Sequence, residues 1–316
     1  MMQDLISFAR EMMIRSESIF FSRIGMAVRF LIRLGLFPRG TAADAERLSI
    51  ASNSVPQLGT DADEALSGQL PYLKCLKFIH RRLKPEFYLE IGVYSGSSLM
   101  LARCAAVGVD PAPHIRSAFG KPITIVRTTS DEFFDRDAKN VLHSKPDFVF
   151  IDGMHLFECA LRDFMHAEEV SAPHGLIVVD DIFPNHPAQA TRERHTVAWT
   201  GDVWKLHATL KQFRPDLYLL ALDTWPTGLL VIAGLDPMNR VLSANYDTIL
   251  ASYDQDVGPP QEVLDRRGAT APSRDTLDRL IGLLMQLRNS TLSHDQFMSQ
   301  LRPIRGQHAG YTLAAP

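Results

Sequence analysis

The sequence predicts an α/β fold, in which helices cover both faces of a mostly parallel sheet with an antiparallel last strand. From residue 86 onward, short apolar segments alternate with helical patterns. This alternation is typical of parallel strands joined by helical crossovers. Near the end of the alternation, two apolar segments are separated only by residues 223–227. Five residues are too few for a crossover, so the last two strands should be antiparallel.

Local patterns place the individual elements. Apolar residues at mixed three- and four-residue spacing predict helices over 1–37, 42–51 and 61–83, the last with a kink near Pro71. The predicted strands are 87–91, 106–109, 123–127, 147–151, 175–179, 217–222 and 228–233. The predicted helices among them are 97–104, 131–142, 157–170 and 203–213.

These elements divide the chain into three predicted regions. A helical arm spans 1–59, the sheet domain spans 60–240, and helices and loops broken by Gly and Pro form a C-terminal extension over 241–316. Arginines outnumber acids in the arm. A basic amphipathic arm either packs on protein, including a second copy in a homo-oligomer, or lies on an anionic membrane surface. We favour the protein contact, because arginine stems also cover protein surfaces.

Composition excludes several classes of protein. The 316 residues are 46% apolar, enough for a full core and unlike a disordered chain. The formal net charge of −3 offers no bulk attraction for nucleic acid. Three dispersed cysteines indicate a reducing compartment rather than a disulfide framework or a zinc site. The first residues lack the apolar segment of a signal peptide, so we expect a cytoplasmic protein.

The loop after the first predicted strand carries the most informative motif. Glu90 is followed by Gly92 and Gly96, with Ser97 at the start of the next helical pattern. Glycine has no Cβ, so such a loop lets the backbone approach a nucleotide-like ligand closely. The second strand ends at Asp110, where a carboxylate can accept both ribose hydroxyls of a nucleoside. The alternative for this acid is an ordinary solvated position in a loop.

Three carboxylates follow the fourth and fifth predicted strands. Asp152 ends one strand, and Asp180 and Asp181 end the next. Because neighbouring parallel strands end at the same edge of a sheet, we expect these acids to converge there. Converging carboxylates repel one another unless a cation is bound, and oxygen ligands favour Mg²⁺, with Ca²⁺ or Mn²⁺ as alternatives. The competing interpretation is a set of solvated acids at strand ends.

Side chains near these acids suggest further roles. His155 is either a general base or a residue that holds Asp152 in place. Asp202 is predicted to cap the helix over 203–213. Trp199 and Trp204 are either core residues or part of a lid over an acceptor molecule.

Taken in order, these motifs resemble those of the class I S-adenosylmethionine-dependent methyltransferases. The glycine loop matches motif I of that family, Glu/Asp-x-Gly-x-x-x-Gly, and not the Gly-x-Gly-x-x-Gly loop of nicotinamide enzymes. The acids Asp152, Asp180 and Asp181 match the metal ligands of the metal-dependent O-methyltransferases, whose third ligand is usually Asn. The Asp-Gly-x-His element followed by paired acids looks closest to macrocin-type sugar O-methyltransferases and cephalosporin hydroxylase-like proteins. The resemblance covers about residues 85–235.

The resemblance implies a Rossmann-like methyltransferase sheet, S-adenosylmethionine and a divalent cation such as Mg²⁺. It implies methyl transfer to a hydroxyl of a small-molecule or glycan acceptor, either a sugar or a catechol-like phenol, with His155 and Asp152 as catalytic residues. Asp131 would alternatively cap a helix. The competing functions are those of a nicotinamide-dependent oxidoreductase and of a non-catalytic scaffold. The residues that the resemblance assigns to the cofactor are Glu90, Gly92, Gly96, Ser97, Asp110, Ser130 and Asp131.

Overall fold

The computed structural model describes residues 59–115, 119, 122–253 and 257–306, with side chains through residue 301. The chain divides into two compact units, Met1–Thr60 and Asp61–Pro316. The predicted helices over 1–37 and 42–51 lie outside the described residues. The description below concerns the second unit.

A seven-stranded sheet forms the centre of this unit, in the order β4-β3-β2-β5-β6-β9-β7. The strands β2 to β6 pair in parallel, and β9 inserts antiparallel between β6 and β7. Both the mostly parallel sheet and the antiparallel last strand were predicted, and both are confirmed. A separate parallel pair joins β1 and β8. The strands are β1 Leu70–Pro71, β2 Phe87–Ile91, β3 Ala105–Val109, β4 Ile123–Val126, β5 Phe148–Ile151, β6 Leu176–Asp180, β7 Tyr218–Leu222, β8 Thr224–Trp225 and β9 Leu229–Ala233.

Helices lie on both faces of the sheet and continue after its last strand. A π-helical turn, Phe133–Asp137, joins α2 to α3, and 3₁₀ turns occur at Leu99–Leu101 and Pro187–Ala190. The α-helices are α1 Tyr72–Leu83, α2 Ser130–Glu132, α3 Ala138–Val141, α4 Phe157–Val170, α5 Trp204–Phe213, α6 Val241–Ala244, α7 Tyr246–Ala251, α8 Gln261–Leu264, α9 Arg274–Arg288 and α10 His294–Gly306.

Two predicted helices are wrong in extent. The helix predicted over 61–83 begins only at Tyr72, because Pro71 lies in β1 and a proline disfavours helix at the residue before it. The helix predicted over 97–104 is a single 3₁₀ turn. The chain is already extended at Ala102, because β3 begins at Ala105 and pairs with the start of β2.

The core has two halves, one on each face of the sheet. Leu89 and Val149 face α4 and α5, whereas Tyr88 and Phe148, their neighbours along the strands, face α1 and α9. This alternation follows from the period of two in a β-strand. Helix α9 packs against α1, so the predicted C-terminal extension contributes to the same compact unit. In the part of the chain that the structure describes, no helix has the length and apolar character needed to cross a membrane.

Candidate active site

The glycine loop is fixed by close contact with the neighbouring strand. Gly92 has a φ of +84°, and a Cβ built on it would lie 1.8 Å from the backbone oxygen of Asp152. Its N–H donates to the Val109 carbonyl at 2.9 Å. Gly96 also has a positive φ, +77°. The loop after β2 therefore lies directly against the end of β5, and only glycine fits at position 92.

Glu90 lies beneath this loop and is fully buried. Its carboxylate accepts hydrogen bonds from the hydroxyls of Tyr88 (2.6 Å) and Ser98 (2.7 Å). Burial raises the pKa of Glu90 to about 8, although the two hydroxyls act in the opposite direction. Glu90 thus anchors the loop, and its contact with a cofactor stays a prediction. Ser97 is exposed, with its hydroxyl 2.9 Å from that of Ser95.

Asp110 holds the same loop from the adjacent strand. Its Oδ2 accepts the backbone N–H groups of Val93 (3.0 Å) and Tyr94 (2.7 Å), and its Oδ1 accepts that of Ala112 (2.7 Å). Each carboxylate oxygen carries two lone pairs, so Oδ1 can still accept a further hydroxyl. The structure places Asp110 against the glycine loop, and its contact with ribose stays a prediction.

Ser130 and Asp131 begin α2, close to α4. Thr129 caps this helix and forms a capping box with Glu132, so the interpretation of Asp131 as the cap is wrong. Asp131 instead forms a two-bond ion pair with Arg162 at 2.8 and 2.7 Å. Contact of Ser130 and Asp131 with the adenine of a cofactor stays a prediction.

Sequence reasoning missed Asp163, which lies beside Ser130. Asp163 is only 2% exposed, and burial raises its pKa to about 7, while the Ser130 hydroxyl acts to lower it. Its Oδ2 lies 3.3 Å from where a Cβ on Gly153 would be. The available signal was an acid among the apolar residues that helical spacing assigns to the buried face of α4.

Two of the predicted metal-binding carboxylates meet at the ends of β5 and β6, together with a histidine. Among the described residues, Asp152, His155 and Asp181 each offer one potential ligand atom, all within 4.8 Å of one another. His155 Nε2 lies 3.4 Å from Asp152 Oδ1 and 3.1 Å from Asp181 Oδ2. These three residues are hereafter called the Asp-His-Asp cluster.

The predicted third carboxylate, Asp180, lies outside the Asp-His-Asp cluster. It is the last residue of β6, and its Oδ1 accepts the N–H of Asp181 at 2.9 Å. Successive strand residues point to opposite faces, and Asp181 adopts a left-handed backbone with a φ of +66°. Asp180 therefore faces the α1 side, where burial and its charge raise the pKa of Cys75 to about 12. The structure thus groups Asp152 and Asp181 with His155, and metal binding by Asp152, Asp180 and Asp181 stays a prediction.

His155 is held by groups on both of its ring nitrogens. Nδ1 lies 2.7 Å from the Trp199 carbonyl oxygen, and a carbonyl only accepts, so Nδ1 carries a proton. Burial lowers the pKa of His155, but the charges of Asp181 and Asp152 outweigh it and raise the pKa to about 9. In the absence of a bound cation, the imidazole is therefore protonated at neutral pH and links the two carboxylates.

The pKa of His155 predicts how stability depends on pH. A histidine whose pKa is raised from 6.5 to about 9 stabilises the fold fully below pH 6.5, and this stabilisation disappears as the pH rises through 9. In EDTA, the wild-type chain should lose on the order of 2–3 kcal/mol more unfolding free energy between pH 6 and pH 9.5 than His155→Gln. Urea unfolding at both pH values measures this difference. Equal losses in the two proteins would contradict it.

The segment over 184–203 packs on the Asp-His-Asp cluster through Trp199 and is hereafter called the covering segment. The Trp199 ring stacks on His155 with centroids 5.1 Å apart, and the Arg194 guanidinium lies 5.9 Å from the Trp199 centroid. Trp199 Nε1 donates to the Thr191 carbonyl at 2.6 Å. Trp204, by contrast, is a core residue that is 4% exposed. The sequence left both roles open for these two tryptophans; Trp204 lies in the core, and the lid role of Trp199 stays a prediction.

Asp202 caps a different helix from the predicted one. Its Oδ1 accepts the N–H of Phe157, the first residue of α4, at 2.7 Å. Its Oδ2 binds Arg192 at 2.9 Å and Lys205 at 3.0 Å. The prediction that Asp202 caps α5 is wrong, because the fold brings the start of α4 to this side chain from 45 positions away.

Residues 63–65 fasten the covering segment, a contact that sequence reasoning missed. The two carboxylate oxygens of Glu64 accept the N–H groups of Val197 (2.6 Å) and Ala198 (3.0 Å), next to Trp199. The side-chain amide of Gln189 donates to the backbone oxygens of residues 63 and 65 at 2.8 and 2.7 Å. No local pattern signals pairing across more than 120 positions.

Glu64→Gln should loosen the covering segment. The side-chain amide of glutamine has a single oxygen that can accept a hydrogen bond, and its NH₂ group would face the second backbone N–H. One of the two charge-assisted hydrogen bonds is therefore lost. Tryptic cleavage after Arg194 should become about 10-fold faster, because local opening is less costly. Mass spectrometry of timed digests measures the rate of this cleavage. Glu193→Gln, with a side chain 89% exposed, is the matched control. Unchanged cleavage in Glu64→Gln would contradict the fastening role.

One family model and several solved structures are similar to this chain. Residues 89–182 match the family model of a methyltransferase domain. No protein with a curated description matches the chain. A cofactor-bound Rv0187 from MTB is 15% identical over 66% of this chain and 95% of its own, with a TM-score of 0.42. The O-methyltransferase TomG from Streptomyces achromogenes, in complex with SAM, is 16% identical over 70% of this chain and 100% of its own, with a TM-score of 0.39.

The matched residues run from β2 to the loop after β6, so they include the glycine loop, Asp110 and the Asp-His-Asp cluster. The sheet order outside this stretch, with β9 inserted antiparallel, completes the architecture. The chain therefore has a Rossmann-like sheet, and residues 89–182 of that sheet are similar to a methyltransferase domain.

Proposed function

We propose that this chain transfers a methyl group from S-adenosylmethionine to a hydroxyl oxygen of a small-molecule or glycan acceptor. The observation that carries the proposal is the direct packing of Gly92 on the backbone of Asp152. This contact places a nucleotide-type glycine loop and a cluster of metal-ligating side chains at one edge of one sheet, where open α/β sheets bind ligands. A methyl donor and an acceptor hydroxyl bound there would be neighbours.

The cofactor would occupy the loop after β2. In this proposal Gly92 and Gly96 let the backbone approach the cofactor, Ser97 lies at its edge, and Asp110 accepts a ribose hydroxyl. Ser130 and Asp131, at the start of α2, would lie near the adenine. Glu90 acts from below by holding Ser98 and therefore the loop.

A divalent cation would occupy the Asp-His-Asp cluster. The donor set fits such an ion, since two carboxylates and an imidazole nitrogen converge within 4.8 Å, and a cation could take over from the His155 proton the neutralisation of the two acids. Asp152 and Asp181 would hold Mg²⁺ or another divalent cation, with Asp180 supporting the backbone of Asp181. When bound, such an ion lowers the pKa of a hydroxyl and fixes its position.

The side chains around the ion would orient the acceptor. His155 Nε2 faces the cluster and is the atom that would take the hydroxyl proton if His155 is the base. Trp199 and the segment over 184–203 would exclude water and hold oxygen, methyl and sulfur in line. The sugar acceptor is preferred to a catechol-like phenol on the resemblance of the Asp-Gly-x-His element and the paired acids to macrocin-type enzymes.

Release of S-adenosylhomocysteine tests the proposal. The full-length chain is incubated with S-adenosylmethionine and separate pools of glycosides and catechols, with and without EDTA. Product in the glycoside pool, absent in EDTA and with Asp152→Ala, is expected. Product only in the catechol pool would overturn the sugar assignment. A chain that binds the cofactor but yields no product in any pool would favour a non-catalytic scaffold.

A further inference from the structure

We propose that His155 is itself a ligand of the cation. The Asp-His-Asp cluster would then be a centre of two carboxylates and one imidazole that prefers a first-row transition-metal ion, such as Mn²⁺ or Fe²⁺, over Mg²⁺. This inference rests on the cation of the proposed function, but it does not depend on methyl transfer.

The distances within the cluster are those between ligands of one ion. Ligand atoms about 2.1 Å from a common ion lie about 3.0 Å apart at right angles and about 3.4 Å apart at the tetrahedral angle. His155 Nε2 lies 3.1 Å from Asp181 Oδ2 and 3.4 Å from Asp152 Oδ1. The distances at which the protonated ring links the two acids therefore also suit three ligands of one ion. Asp180, the ligand that the sequence predicted, does not reach the cluster.

The tautomer of His155 is the one that a ligand needs. Because Nδ1 donates its proton to the Trp199 carbonyl at 2.7 Å, the lone pair of the neutral ring is on Nε2, which faces the acids. Histidines that bind metals commonly donate their other N–H to a backbone carbonyl in this way, and the bond fixes the ring orientation. Stacking of Trp199 on the ring adds a second constraint on that orientation.

A nitrogen ligand changes which ion the site selects. Mg²⁺ prefers oxygen ligands and retains several waters, whereas imidazole suits transition-metal ions. The role of ligand and the role of base exclude each other at Nε2, because one lone pair either binds the ion or takes the hydroxyl proton. A measurement of nitrogen coordination therefore separates the two roles without any acceptor.

The test uses the full-length chain with Mn²⁺ and no cofactor. Electron spin-echo spectroscopy of bound Mn²⁺ should show coupling to an imidazole ¹⁴N in the wild-type chain and none in His155→Asp, in which a third carboxylate replaces the imidazole. Competition with Mg²⁺ should show that His155→Asp lowers the preference for Mn²⁺ by at least about 10-fold. His195→Ala, a histidine with a side chain 59% exposed in the same segment, should leave both results unchanged. Asp180→Asn should change Mn²⁺ affinity by less than about 3-fold.

Several results would overturn the inference. Bound Mn²⁺ without ¹⁴N coupling in the wild-type chain would leave His155 as the base, and this result stands even if His155→Asp fails to fold. An unchanged ion preference in His155→Asp would have the same meaning. Loss of Mn²⁺ binding in Asp180→Asn would restore the three-acid site. A wild-type chain that binds no Mn²⁺, yet binds S-adenosylmethionine in EDTA, would remove the cation while the cofactor assignment stands.

Discussion

Gly92→Ala should destabilise the fold by at least about 3 kcal/mol and weaken S-adenosylmethionine binding by at least about 10-fold. A Cβ at this position would lie 1.8 Å from the Asp152 oxygen, and the φ of +84° disfavours any side chain. Both strands that meet there are central in the sheet, so neither backbone can move away without breaking ladder hydrogen bonds. The displaced loop would also lose its shape for the cofactor. Urea unfolding and calorimetry measure the two effects.

Gly282→Ala is the matched control for this substitution. Gly282 lies within α9, and a Cβ there would meet nothing within 4 Å. In a helix interior, alanine is roughly 1 kcal/mol more favourable than glycine in helix propensity. This variant should therefore be slightly more stable than the wild-type chain. If Gly92→Ala behaved like Gly282→Ala, the close packing of the glycine loop on β5 would be refuted.

Asp152→Ala should abolish methyl transfer while leaving the fold and the cofactor site in place. Removal of one of two carboxylates should lower the affinity for a divalent cation by at least about 100-fold, because neither the charge nor the ligand atom is replaced. The unfolding free energy should fall by less than the roughly 2–3 kcal/mol that His155 gains from both acids, because Asp181 remains paired with His155. Affinity for S-adenosylmethionine should stay within about 3-fold, because the loop contacts the Asp152 backbone and not its carboxylate.

Cation affinity, product formation and S-adenosylmethionine affinity are measured for this variant beside Asp135→Ala, an exposed acid on the π-helical turn. The control should match the wild-type chain in all three. An Asp152→Ala chain that formed product at the wild-type rate would show that the reaction proceeds without the Asp-His-Asp cluster.

The sheet was predictable from sequence because its signals are local. Each strand is a short apolar run, and the five residues between the last two predicted strands are enough to require antiparallel pairing. The helices that were predicted with the wrong extent are those in which strand pairing with a distant segment overrides the local pattern. Pro71 pairs with Trp225, and Ala105 pairs with Phe87, so helices predicted around them are cut short.

The sequence was enough to predict at which edge of the sheet the candidate site lies. It was not enough to predict the contacts of the individual side chains there. Asp152 and Asp181 converge as expected, because neighbouring parallel strands end together. The position of Asp180 depends on the backbone turn at Asp181, which one sequence does not specify. Glu64 reaches the covering segment through the tertiary fold. Contacts of this kind have no periodic or spacing signal along the chain.

Calorimetric titration with S-adenosylmethionine and S-adenosylhomocysteine is the most direct test that this chain is a methyltransferase. The wild-type chain is titrated in Mn²⁺, in Mg²⁺ and in EDTA, beside Asp110→Ala. We expect micromolar binding by the wild-type chain and loss of binding in Asp110→Ala, because this carboxylate holds the glycine loop and, in the proposed function, would accept a ribose hydroxyl. Absence of binding by the wild-type chain under all three conditions would contradict the proposed function.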